Sequence, residues 1–132
     1  YRMALAEVSQ GIRSAAEAQL KHLIDRSDLD RPMYNAELYT LDGLFLGRPD
    51  AWFARAGVAG EVDSREYHLG AKDYAATTLR HNRMEAAGIH MLHWLPSTIK
   101  AEPRRVIADL RAAIAVGNKC PPLPIKAIPP HA

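Results

Sequence analysis

The sequence lacks several features that would assign a protein class at once. Its single cysteine, Cys120, cannot form a disulfide within the chain, which suits a reducing compartment and makes the cytoplasm the expected location. No apolar run approaches the roughly eighteen residues of a membrane-spanning helix, which excludes a membrane span. Glu7, Gln10 and Arg13 interrupt the N-terminal apolar stretch and exclude a signal peptide. The net charge of +2 is too small to indicate a nucleic-acid-binding protein by itself.

What the sequence does have is the composition of one globular domain. Its 132 residues are 48% hydrophobic and 24% charged, unlike a disordered or collagen-like chain. A chain of this length buries roughly two thirds of the surface that it exposes when unfolded, so one core is available. Because the first residue is Tyr1 rather than methionine, we expect a longer parent protein. We predict a linker or the end of another domain over 1–13, the folded domain over 14–117 and a proline-rich tail over 118–132.

Periodicity and turn signals predict an α/β domain with the element order αβββαβα and a mixed sheet of about four strands. A capping box from Ser14 to Glu17 predicts the start of the first helix. Asp42 and Gly43 predict a hairpin turn, and Gly88 predicts the end of the second helix. The predicted strands cover 34–40, 44–53, 58–64 and 89–95, and the predicted helices cover 14–27, 71–87 and 103–117.

The second half of the chain carries three further predictions. The strand over 89–95 is mostly apolar and is therefore predicted to lie at the centre of the sheet. Prolines between Pro121 and Pro130 exclude a regular core element there and predict an extended tail, loose or draped over the domain. His90 and His93 lie three apart on a predicted strand and so face opposite ways, which argues against a shared metal.

Acidic residues near the turn at Ala56-Gly57 give the main functional signal. Asp50 lies near the end of the second predicted strand, Glu61 and Asp63 share one face of the third predicted strand, and His68 follows. Ionised carboxylates about 4 Å apart repel by roughly 1 to 4 kcal/mol per pair, so a converging trio needs a proton or a cation. Oxygen ligands without cysteine favour Mg²⁺ or Mn²⁺. The cluster therefore predicts a divalent-cation site.

The same spacing leaves a second interpretation open. Asp50 would cap a turn, and Glu61 and Asp63 would pair with arginines such as Arg48 and Arg65 on a solvated face. Spacing in the sequence does not decide between a metal site and these ion pairs.

Pro49-Asp50 followed by Glu61-x-Asp63 resembles a variant of the PD-(D/E)xK motif of restriction-endonuclease-like nucleases. A wider set of motifs, spread over about 11–115, is similar to the small endonuclease-like domain family related to very-short-patch mismatch-repair endonucleases. The resemblance implies a restriction-endonuclease-like sandwich and a metal-dependent DNA endonuclease that hydrolyses phosphodiester bonds. The matching motifs are Ser14-x-x-Glu17, Glu61-Val62-Asp63-Ser64 with Tyr67-His68, Arg80-His81-x-Arg83, and Gly88-Ile89 with Leu92-His93 and Pro96.

Carried over residue by residue, the resemblance implies that Asp50 and Glu61 bind Mg²⁺ or Mn²⁺. It further implies that Asp63 and Glu17 complete the site and that His68 helps to activate the attacking water. Position 63 departs from the motif, which has lysine there. A lysine would stabilise developing negative charge, whereas an aspartate binds metal or takes a proton. The departure leaves open a nuclease-fold domain without cutting activity that binds nucleic acid or regulates a toxin-antitoxin pair.

The second predicted helix carries the basic residues. Arg80 and Arg83 lie three apart on one helix surface, and Lys72 lies two turns earlier. From the pattern alone they are the solvated face of an amphipathic helix, and the resemblance favours contacts with DNA phosphates instead. Actinobacterial members of the family often carry a winged-helix antitoxin-like segment before this domain, which fits a longer parent chain. A homodimer is left open.

Overall fold

The computed structural model describes the backbone over 2–63 and 71–130, and it describes the side chains from Gln10 onward with the exception of 71–73. Over these residues the chain is an α/β domain with four helices and seven short strands. In chain order they are α1 (Arg2–Asp25), β1 (Met33–Tyr34), β2 (Glu37–Thr40), β3 (Phe45–Gly47), β4 (Ala51–Phe53), β5 (Val58–Val62), α2 (Ala71–Ala86), β6 (His90–Trp94), α3 (Pro96–Ala101), α4 (Pro103–Gly117) and β7 (Ile125–Ile128).

The main sheet has four strands in the order β1-β4-β5-β6. The β5–β6 pair is parallel and the other pairs are antiparallel, so the sheet is mixed, as predicted. The predicted central position of β6 is wrong, because β6 lies at the edge of the sheet. Its apolar character has another cause: α2 packs against one face of β6 and α4 against the other, so the strand is covered from both sides without a neighbour on its outer edge.

The predicted hairpin of two long strands is divided between two sheets. Asn35 has a φ of 56° and interrupts the first of these strands, and Pro49, which has no N–H to donate, lies in the break of the second. As a result β1 pairs with β4 in the main sheet, whereas β2 pairs with β3 in a second sheet. The turn between β2 and β3 is formed as predicted, since Gly43 has a φ of 97° and its N–H donates to the Thr40 carbonyl over 3.0 Å.

The proline-rich tail was predicted to contain no regular core element, and this prediction is wrong. Residues 125–128 form β7, which pairs antiparallel with β2 and completes a three-stranded second sheet. The prolines flank this strand without interrupting it, and β7 lies at a sheet edge, where proline neighbours are tolerated. Just before β7, Leu123 packs over Gly57 and Gly88, where an added Cβ would lie 2.8 and 3.0 Å from the leucine side chain.

The helices follow the prediction at their C-terminal ends more closely than at their N-terminal ends. α2 ends at Ala86 before Gly88, and α4 has its predicted bounds. α1 begins well before the predicted capping box, so Ser14 is an exposed residue inside the helix, and the residues over 2–13 form its first half. Glu17 does not cap the helix; it accepts a hydrogen bond from Arg13 one turn earlier. The short helix α3 was not predicted. Among the described residues, no helix is both long and apolar enough to cross a membrane.

Each face of the main sheet carries its own apolar cluster. α1, α3 and α4 cover one face, where Val62 of β5 packs with Leu20, Ile24 and Leu110. α2 and the second sheet cover the other face, which contains Met84 and its neighbours. Because side chains alternate along β5, Glu61 points to the face opposite Val62 and so lies under α2.

Candidate active site

The β4–β5 ladder brings Asp50 and Glu61 next to each other. Ala51 and Gly60 are register partners, so Asp50, just before Ala51, and Glu61, just after Gly60, are the next pair along the ladder. The Asp50 carboxylate is fixed by a hydrogen bond, because its Oδ2 atom accepts from the Val62 N–H over 2.7 Å. The two carboxylates predicted as metal ligands thus come from adjacent strands.

Asp50 lies in the wall of a cavity between α1 and the start of β4. The cavity has a volume of about 210 Å³, and Glu17 and Lys21 of α1 line it together with Tyr34, Asn35 and Asp50. The Tyr34 hydroxyl donates to Asp25 over 2.7 Å, and the Asn35 N–H donates to the Asp50 carbonyl over 3.1 Å, so the C-terminal end of β1 is fixed beside the cavity. The predicted proximity of Glu17 to Asp50 is reproduced by this arrangement.

The surroundings of Asp50 raise its pKa from 3.8 to about 6. Burial is the main cause, because it disfavours the charged form, and the negative charges of Glu17 and Glu61 add to it. The Val62 N–H and the more distant Arg13 act in the opposite direction without compensating. The Asp50 side of the site is therefore short of positive charge.

Glu61 has the opposite electrostatic environment. It is only 5% exposed, yet its pKa falls from 4.5 to about 2. Burial alone would raise this pKa, and the hydrogen bonds and charges of His81 and Arg80 outweigh it. Arg80 donates from Nη1 to Oε1 over 2.6 Å and from Nη2 to Oε2 over 3.0 Å, and His81 donates from Nε2 to Oε2 over 3.0 Å. Glu61 is thus held as a carboxylate in a bidentate ion pair.

A glycine allows α2 to come close enough for this ion pair. At Gly47 in β3, an added Cβ would lie 2.9 Å from the Met84 sulfur and 3.3 Å from Cγ of Arg80. A larger residue would therefore push away the helix turn that carries Arg80 and His81. The second sheet in this way sets the position of the guanidinium over Glu61.

His93 belongs to the same cluster, although the predicted strand argued only against a metal shared by His90 and His93 and did not group His93 with Glu61. It is the register partner of Glu61 in the parallel β5–β6 pair, and its ring lies 4.3 Å from that of His81, at an interplanar angle of 33°. Glu61, His81 and His93 have ligand atoms that all lie within 4.8 Å of one another, so this group can hold a metal ion. In the structure Glu61 and His93 are each the fourth residue of their strands, whereas His93 is the fifth residue of its predicted strand, so the predicted bounds do not pair them.

The other predicted site residues are distributed as follows. Asp63 directly follows β5 and extends the ladder, because its N–H donates to the Trp94 carbonyl over 2.8 Å. It is half-buried and is not part of the Glu61 cluster. His68 lies outside the described residues, and Lys72 lies in the first turn of α2 with its side chain outside the description. Of the three predicted phosphate contacts, which include Lys72, Arg80 is bound to Glu61 and Arg83 is exposed.

The ion-pair alternative for the acidic residues describes Glu61 in part. Glu61 does pair with an arginine, but the partner is Arg80 of α2 rather than Arg48, and the pair is buried rather than solvated. Arg65 lies outside the described residues.

No protein-family model, curated protein or solved structure matches this chain. The chemistry of the site therefore has to follow from its own side chains.

Proposed function

We propose that this chain is a metal-dependent DNA endonuclease domain that hydrolyses phosphodiester bonds. The observation that carries the proposal is the position of Asp50 in a cavity wall beside Glu17, with Glu61 on the adjacent strand. Mg²⁺ commonly binds through one or two carboxylates and keeps several of its waters, so Asp50 and Glu17 fit it as protein ligands. When bound, Mg²⁺ or Mn²⁺ supplies polarisation of a phosphoryl oxygen and a more acidic attacking water.

The order of elements supports a restriction-endonuclease-like sandwich. α1 precedes three strands of the main sheet, β1, β4 and β5, and α2 then connects β5 to the parallel strand β6. This is the order that the resemblance of the motifs implies, apart from the second sheet and α3. Glu17 of the first helix and Asp50, which directly precedes β4, line one cavity, and this supports the site that the resemblance implies.

Each residue of the site has a distinct task in this proposal. Asp50, held by the Val62 N–H, and Glu17 bind the cation and orient it. Glu61 is not assigned to this cation, because its side chain faces α2 and does not line the cavity. Arg80 supplies a fixed positive charge beside the site in a chain whose position 63 carries aspartate in place of lysine. His68 remains the residue predicted to assist the attacking water.

A second function is favoured by the Glu61–Arg80 ion pair. If Glu61 stays in this pair and position 63 provides no lysine, the fold has lost two of the groups that a PD-(D/E)xK nuclease uses. The domain would then bind nucleic acid, or regulate a toxin-antitoxin pair, without cutting. Exposed Arg83 would contribute to such binding through the phosphate backbone.

A nicking assay on supercoiled plasmid with Mg²⁺ or Mn²⁺ tests the enzyme. Wild type and the control Asp30→Asn, an exposed site, should nick the plasmid, whereas Asp50→Asn and Glu17→Gln should reduce nicking to background because each removes a ligand charge. Asp50→Asn keeps an oxygen that can accept the hydrogen bond from the Val62 N–H, and far-ultraviolet circular dichroism shows whether the variant is folded. Equal nicking by wild type and Asp50→Asn would refute the endonuclease.

Salt-dependent DNA binding separates the two functions. Phosphate contacts release counterions, so binding should weaken as salt rises, and Arg83→Gln should reduce the slope of log K against log[salt] by about one. Binding with this slope but without nicking supports the second function. Binding that does not respond to salt, together with absent nicking, contradicts both.

A further inference from the structure

Three elements bring two imidazoles and one carboxylate together on the α2 face of the main sheet. Glu61 from β5 and His93 from β6 are neighbours in the parallel pair, and His81 from α2 lies over them. Sequence reasoning set His93 aside and assigned His81 no role of its own. The cluster lies under α2, whereas Asp50 and Glu17 line a cavity beside α1, and the cluster and this cavity share no residue.

We propose that Glu61, His81 and His93 form a binding site for a zinc-class transition-metal ion, distinct from the cation site at Asp50 and Glu17. Two imidazole nitrogens with one carboxylate oxygen are a donor set for Zn²⁺ and its first-row neighbours, whereas Mg²⁺ prefers oxygen ligands alone. Three protein ligands also leave a fourth position for water, as in open zinc sites.

The distances in the cluster are close to those that an ion needs. With metal–ligand bonds of about 2.1 Å, two ligand atoms of a tetrahedral site lie roughly 3.4 Å apart. His81 Nε2 and Glu61 Oε2 are 3.0 Å apart, joined by a hydrogen that the ion would replace, and all ligand atoms of the group lie within 4.8 Å. When an ion binds, His81 Nε2 and Glu61 Oε2 therefore have to move slightly apart, and ligand atoms that are farther apart have to move closer together.

One ring has to turn when the ion binds. The imidazoles of His81 and His93 are stacked at 4.3 Å, whereas an ion lies in the plane of each ring that binds it. A rotation about the Cβ–Cγ bond brings a ring nitrogen to the common point, and this torsion is broad in histidine. The ring of His81 can make this turn, since its side chain is 25% exposed.

Arg80 competes with the ion for Glu61. At present Arg80 contacts both carboxylate oxygens, and an ion at Oε2 would leave it the contact to Oε1. The two positive groups would then share one carboxylate and repel each other, so Arg80 weakens the metal affinity. Removing the guanidinium should have the opposite effect from removing a ligand, because it leaves a buried carboxylate that lacks a cation.

Titration of the full 132-residue chain with Co²⁺, followed by displacement with Zn²⁺, tests the site. Wild type should develop visible ligand-field bands that saturate at one Co²⁺ per chain, and Zn²⁺ but not equimolar Mg²⁺ should remove them. His81→Gln and His93→Gln should each weaken Co²⁺ binding at least tenfold, while His90→Gln, at an exposed position of the same strand, should not change it. Arg80→Gln should bind Co²⁺ more tightly than wild type.

The proposal fails if His93→Gln binds Co²⁺ as wild type does, or if Mg²⁺ displaces Co²⁺ as readily as Zn²⁺ does. Far-ultraviolet circular dichroism shows whether each variant is folded, and Arg80→Gln provides a change of opposite sign that unfolding cannot imitate. Weaker Co²⁺ binding by Arg80→Gln would also contradict the proposal. Loss of nicking in Asp50→Asn tests the endonuclease, whereas weaker Co²⁺ binding in His93→Gln tests the transition-metal site, so the two proposals are tested by different variants.

Discussion

Asp50 and Glu61 lie side by side on two paired strands, yet their pKa values move in opposite directions. Both carboxyls are largely removed from water, and the pKa of Asp50 is raised to about 6 while that of Glu61 is lowered to about 2. Burial raises the pKa of both groups, so burial does not account for the difference. The difference in pKa comes from the helix next to each carboxyl. α2 places a guanidinium and an imidazole beside Glu61, whereas α1 places another carboxylate near Asp50.

The opposite pKa shifts give the carboxylates of Glu61 and Asp50 different roles. Glu61 is neutralised inside the protein and ties β5 to α2, which makes it a stabilising residue in the absence of any ligand. Asp50 is left without a matched positive charge, so a cation from solution can gain what the protein does not provide. Three changes test this division, from the largest expected effect to the smallest.

Replacing Glu61 by Gln should have the largest effect, because it removes the ion pair with Arg80. The change leaves the guanidinium of Arg80 partly buried without a counter-charge, and it should lower the free energy of unfolding by about 3 to 5 kcal/mol. Glu102→Gln, which removes an exposed pair with Arg105, is the control and should change it by about 0.5 kcal/mol or less. Urea unfolding at pH 7 measures both.

The loss of stability caused by Glu61→Gln should depend on pH. The pKa of Glu61 is lower in the folded state than its ordinary value of 4.5, so its stabilisation is complete above pH 4.5 and is lost as the pH falls toward about 2. The difference in the free energy of unfolding between wild type and Glu61→Gln should therefore decrease as the pH falls from 4.5 to about 2. A difference that stays constant down to pH 2 would contradict the assigned ion pair.

Replacing Asp50 by Asn should stabilise the protein. Because the pKa of Asp50 rises from 3.8 to about 6 on folding, the stability of wild type should fall as the pH rises through this window. Asp50→Asn does not undergo this loss, so it should be more stable by up to about 3 kcal/mol above pH 6 and equal to wild type below pH 3.8. Mg²⁺ should raise the unfolding temperature of wild type at pH 7 but not that of Asp50→Asn.

The matched control for Asp50 is Asp30→Asn, at an exposed position, which should not show the same dependence on pH. If Asp50→Asn is less stable than wild type at pH 8, the hydrogen bond from the Val62 N–H outweighs the repulsion around the carboxylate. The description of Asp50 as a residue short of positive charge would then be wrong.

The smallest effects are expected from substitutions of charged residues near Asp50 that leave Asp50 itself in place. Glu17→Gln removes a negative charge and should lower the pKa of Asp50, whereas Arg13→Gln removes a positive charge and should raise it. Titration of the Asp50 carboxyl carbon by NMR measures both shifts. Because Arg13 and Glu17 also pair with each other, the two variants differ in the sign of the charge removed and lose the same helix contact. Shifts of the same sign would contradict the electrostatic cause.

Local signals in the sequence predicted those parts of the fold that depend on neighbouring residues. Gly43 and Gly88 adopt the positive φ values that their turns require, and Pro103 opens α4. The mixed four-stranded sheet also follows from the order of strands and helices. The break of the first hairpin was missed, because it depends on Asn35 taking a positive φ, which a non-glycine residue adopts only when the tertiary structure holds it there.

For the site, the resemblance predicted Asp50, Glu61 and Glu17. The structure brings these residues close together, and their role stays a prediction. Arg80 was expected to face DNA, and its position over Glu61 could not be seen, since it depends on how far α2 approaches β3 at Gly47. His93 was separated from the site because its partner lies on a strand that is distant in the sequence, and only the parallel register joins them.

The pairing of β7 with β2 has a consequence for the way the chain is made. Residues 37–40 leave the ribosome long before 125–128, so the nascent chain carries β2 with one unpaired edge while most of the domain is being synthesised. An open strand edge is a template for pairing with other chains, and contacts between distant residues form late in folding. The last step of folding is therefore expected to be the closing of the second sheet, and mispairing during synthesis is expected at β2 first.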